Sequence, residues 1–179
     1  MMYRILIVLL AAAFVTCGRS SDADSGDRTT SGETDPSAAI QATGFAGVNI
    51  GDRVADHAGR LTAYTLDQPG GSYTIYWIDG ADANSSQAFA SSLTGSVINA
   101  ISVVSAEPST AQGISIGSTW GEVQAAYPGI EAKGSPQDGR IYASAGRLRF
   151  RLSGAADAGG AIEGGSLSPE ARVLQVGIQ

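Results

Sequence analysis

Apolar residues recur along this chain with two periodicities, one typical of strands and one typical of a helix. Runs with alternating or β-branched and aromatic residues predict strands at 73–78, 97–104, 140–143, 147–152 and 173–178. Trp120, Val123 and Tyr127 instead fall on one helical face. Thr119 and Glu122 have the spacing of a capping box, so a short helix is predicted to begin there.

A six-residue pattern occurs twice in the chain. The segment 47–52 reads GVNIGD, and 113–118 reads GISIGS. Each copy is followed by a helical pattern, on which Val54, Ala58 and Leu61 form the apolar face in the first copy, and then by strands. We therefore predict two repeats, 45–105 and 111–179, within a single α+β domain at 44–179. Its predicted fold is an antiparallel sheet with two short helices.

The first residues have the features of an export signal. Arg4 is followed by an apolar run at 5–15, and about 11 residues are too few for a membrane span, which needs roughly 20. Residues 14–17 read FVTC and resemble a lipobox, in which Phe14 replaces the usual Leu and Thr16 the usual Gly or Ala. We expect a signal peptide at 1–16 and lipid on Cys17. The alternative is cleavage after Ala23, which would remove the cysteine.

Composition places a polar spacer between this signal and the folded domain. Residues 17–43 are rich in Ser, Thr, Gly and Asp, which predicts a lipid-anchored disordered tether. The whole chain has a formal net charge of −6, which argues against nucleic acid as a partner. Cys17 is the only cysteine, so no disulfide within the chain is expected.

Two segments, 98–105 (INAISVVS) and 113–123 (GISIGSTWGEV), resemble the RpoE-regulated lipoprotein family. This is a family of small bacterial envelope lipoproteins defined by a domain of unknown function. The N-terminal cysteine and the length add to the resemblance. It implies an envelope location, and it assigns no catalytic residue to any position of this chain.

Candidate chemistry is sparse in this sequence. His57 is the only histidine, and Asp52 and Asp56 lie five and one residues before it, positions that do not face it on a short helix. No cluster of cysteine and histidine suggests a metal site. The glycine-rich stretch 154–165 lacks the spacing of a phosphate or calcium loop and is interpreted as a hairpin connection. We therefore expect no enzyme activity, no cofactor and no metal.

One group of cations has a regular arrangement. Arg147, Arg149 and Arg151 alternate with apolar residues, so a strand places them on one face, and Arg140 could join them. They are either a solvent-facing surface that resists aggregation or a patch for an anionic partner.

These features predict an exported envelope protein on the periplasmic side of the outer membrane, held by lipid on Cys17. A soluble periplasmic or secreted form is the alternative location. The expected role is binding of a macromolecule, either an envelope protein or an anionic glycan. The alternative role is a carrier of a small ligand or cell-wall glycan in a groove between the repeats.

Overall fold

A computed structural model describes residues 39–68 and 71–179. The predicted signal peptide, Cys17 and the tether up to residue 38 lie outside these residues. The described elements are the strands β1 (Gly44–Phe45), β2 (Val48–Asn49), β3 (Leu61–Gln68), β4 (Gly71–Ile78), β5 (Ala88–Ser91), β6 (Ala100–Val103), β7 (Ala132–Gly134), β8 (Ile141–Ala145), β9 (Leu148–Leu152) and β10 (Val173–Ile178), with helix α1 (Trp120–Ala126) and a 3-10 turn at Val54–His57.

Eight of the strands form one antiparallel sheet in the order β3-β4-β5-β6-β10-β9-β8-β7. Within it β3 to β6 run as one meander and β7 to β10 as another, and the two meanders meet where β6 pairs with β10. We call this β6–β10 junction the seam. Strands β1 and β2 form a separate hairpin.

The core lies between one face of the sheet and a layer of helix and loops. Phe150, Ile101 and Val176 are fully buried on the sheet side, and Trp120 and Val123 of α1 pack into the same cluster. Ile40 also belongs to this cluster, and its N–H donates to the carbonyl of Ser109 at 2.8 Å. The fold therefore includes a residue that the sequence assigned to the tether.

The predicted fold class is wrong. The described residues form a mainly β structure, with a large antiparallel sheet, one α-helix of seven residues and a 3-10 turn, instead of an α+β domain with two helices. The helix that forms is the one with a complete cap. The Thr119 hydroxyl accepts from the Glu122 N–H at 3.2 Å, and the Glu122 carboxylate accepts from the Thr119 N–H at 2.7 Å.

The expected first helix fails because its N-terminus has no cap. The side chain of Arg53, at the N-cap position, makes no capping hydrogen bond, and only Val54–His57 form a 3-10 turn. Gly59 follows almost at once, and Leu61, expected on the helical face, begins β3 instead.

The two segments that repeat in sequence also occupy matching places in the structure. Gly51 donates to the carbonyl of Ile98 at 2.9 Å, and Gly117 donates to that of Val173 at 2.8 Å. The two glycines have φ values of 92° and 93°. Each segment thus runs beside the chain that leads into a seam strand. The duplication itself stays a prediction, which these matched features support.

Candidate functional site

The sheet has two faces of different character. Residues directly opposite in an antiparallel pair share a face, and the core face carries Phe150, Val176 and Val103. The other face is here called the outer face. On it Gly177 of β10 lies directly between Arg149 of β9 and Ser102 of β6. Helix α1 contributes its buried side chains to the core cluster, so no described helix covers the outer face.

One end of the outer face is cationic. We define the cationic half as Lys133, Tyr142, Arg149 and Arg151, contributed by β7, β8 and β9. The Arg149 guanidinium lies 3.7 Å from the centre of the Tyr142 ring, a cation–π contact. The Arg149 and Arg151 side chains have no ion pair or side-chain hydrogen bond with any other residue of the part that the structure describes. Their donors are therefore available to an anion.

The other two arginines of the predicted patch are already engaged. Arg147 donates from Nε to the backbone oxygen of Gln179 at 2.7 Å. Arg140 lies 3.8 Å from the Asp138 carboxylate, which also accepts from the Tyr142 hydroxyl at 2.7 Å. The Tyr142 hydrogen bond holds the pKa of Asp138 below its usual value, so the carboxylate stays charged beside Arg140. The structure thus divides the patch into two restrained arginines and two that lack carboxylate partners.

A shallow depression lies at the cationic half. Its volume is about 680 Å³, and its lining includes Tyr142, Arg149, Lys133 and Glu131, whose carboxylate lies 3.6 Å from the Lys133 ammonium. Its lining residues all belong to the second meander and the segments beside it. At the seam, the core side is filled by Val103 and Val176, both fully buried.

The opposite end of the outer face is aromatic. We define the aromatic half as Tyr64, Ile75, Trp77 and Phe89, from β3, β4 and β5. The Trp77 and Phe89 rings meet edge to face with centroids 5.4 Å apart. Trp77 is only 8% exposed, yet neither it nor Ile75 belongs to the core cluster. The structure thus contains a second apolar cluster, separate from the core.

Small side chains lie between the two halves. Gly177 of β10 and Ser102 and Ala100 of β6 occupy the outer face at the seam. Four strand spacings separate β9 from β4, which amounts to about 19 Å. The outer face therefore has a cationic side and an aromatic side, separated by these small residues and by Gln175, which lies opposite Arg151.

The sequence-based interpretation of His57 is wrong in one respect. His57 Nε2 lies 2.9 Å from Asp52 Oδ2, because the chain forms a 3-10 turn instead of the expected helix. The Asp52 carboxylate also accepts from the Asn49 N–H at 2.8 Å, which is the main reason why the pKa of Asp52 is lowered. The pair thus closes the turn after β2. The described residues contain no group of three or more residues suited to a metal ion.

The glycine-rich stretch 154–165 forms a folded loop. Asp157 Oδ1 accepts from the N–H groups of Gly159 and Ala161 at 2.8 and 2.9 Å. Ala156 and Ile162 form an isolated antiparallel bridge. One carboxylate oxygen of Asp157 therefore closes the loop.

Comparison with known proteins gives a likeness of fold. The chain is similar to the crystal structure of the uncharacterized protein YfeY from Escherichia coli, with a TM-score of 0.56 and 12% identity over 79% of this chain and 99% of that one. No protein-family model matches the sequence. No curated protein matches it either. Within the described residues we find no helix that is both long and apolar enough to cross a membrane.

Proposed function

We propose that this chain is an exported, lipid-anchored envelope protein without enzyme activity, which binds an acidic protein on the outer face of its sheet. The observation that carries the proposal is the pair Arg149 and Arg151, which lack ion pairs within the described residues. An acidic chain, with net charge −6, displays them on a sheet face that no described helix covers. Guanidinium groups form paired hydrogen bonds with carboxylates, so an acidic surface is the matching chemistry.

The aromatic half favours a protein over a glycan. A sugar stacks on an open aromatic face, but Trp77 is nearly buried and presents its ring to Phe89. Tyr64, half exposed on the edge strand β3, offers an amphipathic surface of the kind common in protein interfaces. A partner with acidic residues at one end of its contact surface and apolar residues at the other would fit both halves.

The export and anchoring parts of the proposal rest on the sequence. The apolar run at 5–15 and the FVTC segment support a signal peptide and lipid on Cys17. Membership of the RpoE-regulated lipoprotein family is also a proposal, supported by the segments 98–105 and 113–123. Palmitate labelling of the wild type and of Cys17→Ser tests the anchor, since only the wild type should incorporate label.

Charge reversal tests the binding surface. The full-length protein is cross-linked in the cells that produce it, and the co-purified partner is measured by mass spectrometry. Arg149→Glu and Arg151→Glu should each reduce recovery at least about tenfold, because a like charge then faces the partner's carboxylates. Arg53→Glu is the matched control, since Arg53 is exposed and lies outside the outer face. Equal recovery with all three variants would contradict the proposal.

A further inference from the structure

The two ends of the large sheet are protected to very different degrees. At one end β7 has three residues, one of them Lys133. At the other end β3 has eight residues and pairs, within the described part of the chain, with β4 alone. Its sequence, LTAYTLDQ, contains no lysine, arginine or proline, and its single charge is Asp67. Lysine, proline and shortness are the usual protections of an edge strand, so β3 is open to pairing.

The backbone groups that β3 offers can be identified from the register. The backbone N–H of Asp79 donates to the carbonyl of Arg60 at 2.8 Å, so these two residues form a hydrogen-bonded pair that continues the β3–β4 ladder. Hydrogen-bonded and non-hydrogen-bonded pairs alternate along an antiparallel ladder. In the observed register the N–H and C=O groups of Leu61, Ala63, Thr65 and Asp67 therefore point away from β4, toward the open edge.

This edge is complementary to a second copy of itself. In an antiparallel arrangement centred on Tyr64, Ala63 lies opposite Thr65 of the second copy, and Leu61 lies opposite its Asp67. All outward backbone groups of both strands then form hydrogen bonds. The single charge faces leucine, so no like charges oppose each other. Tyr64, which is 50% exposed, meets its own copy on the outer face.

We propose that the chain forms a symmetric dimer by pairing β3 with β3 of a second copy. The pairing joins the two eight-stranded sheets into one. The outer faces of both copies then form a single surface, with the aromatic halves in the middle and the cationic halves at the two ends. This inference stands on the edge of the sheet and holds whether or not the outer face binds an acidic protein.

Disulfide trapping tests both the dimer and its register. In full-length protein carrying Cys17→Ser, a cysteine at position 64 faces its own copy with Cα atoms about 4.5 Å apart, within the range of a disulfide. A cysteine at position 62 is about 14 Å from its copy. Under mild oxidation we expect Tyr64→Cys to form a covalent dimer and Thr62→Cys to remain monomeric. Equal cross-linking at both positions, or at neither, would overturn the proposal.

Sedimentation velocity tests the dimer without a cross-link. Thr65→Pro removes one outward N–H and leaves the β3–β4 hydrogen bonds intact, since Thr65 is not in a hydrogen-bonded pair with β4. Thr65→Ala is the control, because it keeps the backbone donor. In protein carrying Cys17→Ser, we expect the parent and Thr65→Ala to sediment at twice the monomer mass and Thr65→Pro to sediment as a folded monomer. If the protein remains monomeric up to about 100 μM, which is about 100 times a micromolar dissociation constant, the inference is refuted.

Discussion

Replacing Gly51 or Gly117 by alanine should destabilise the domain by the same amount. Both residues have left-handed φ values, 92° and 93°, and a Cβ added at either would meet nothing within 4 Å. The cost is therefore one of backbone conformation, about 1–2 kcal/mol for a residue other than glycine. Alanine keeps the N–H, so the hydrogen bonds to Ile98 and Val173 are retained. The loss is a sizeable part of a stability of about 5–15 kcal/mol.

Urea unfolding followed by circular dichroism measures this loss. With a slope of about 2 kcal/mol per molar urea, each midpoint should fall by roughly 0.5–1 M. Gly59→Ala is the control, because its added Cβ also meets nothing but its φ is not left-handed. That variant should be neutral or up to about 1 kcal/mol more stable. An unchanged midpoint in Gly51→Ala or Gly117→Ala, or a large difference between them, would refute the reasoning.

Two further predictions concern the start of α1 and the turn after β2. Thr119→Ala removes the hydroxyl that accepts from the Glu122 N–H and should cost about 0.5–2 kcal/mol, seen as a lower Tm; an unchanged Tm would show that the cap is dispensable. The pKa of Asp52 is lowered in the folded state, mainly by the hydrogen bond from the Asn49 N–H. The charged carboxylate therefore stabilises the fold at pH values above its ordinary pKa of about 3.9. This stabilisation is lost as the pH falls through the lower pKa of the folded state. Urea unfolding should therefore show Asp52→Asn to be less stable than the wild type at pH 7, with the gap closing below about pH 4; a gap that is constant with pH would contradict this.

The elements that could be predicted from sequence are those with a strong local pattern. Leu148, Phe150 and Leu152 alternate with arginines, and the structure buries all three on the core face of β9. The capping box at Thr119 and Glu122 is also present as predicted. In each case residues close in sequence determine the element, so no distant contact was needed to recognise it.

The elements that were missed depend on distant contacts. Strand β5 contains two alanines and one serine around Phe89, which is a weak strand pattern, and it forms because β4 and β6 pair with it on either side. Strand β3 was partly assigned to a helix because Leu61 continues the apolar spacing of Val54 and Ala58. The sequence predicts that Arg147, Arg149 and Arg151 share one face of a strand. It does not predict which of these arginines lack a partner within the described residues. Their separation follows from contacts with Gln179 and Asp138.

Site-specific photo-cross-linking tests the central claim, that the outer face of the sheet binds an acidic protein. A photoreactive residue is placed at Ser144 or Ser102 on the outer face, and at Gln124, which is exposed on α1 on the other side of the sheet. We expect one protein adduct from both outer-face positions, lost when Arg149→Glu is added, and none from position 124. An adduct from position 124 alone, or adducts that Arg149→Glu leaves intact, would contradict it.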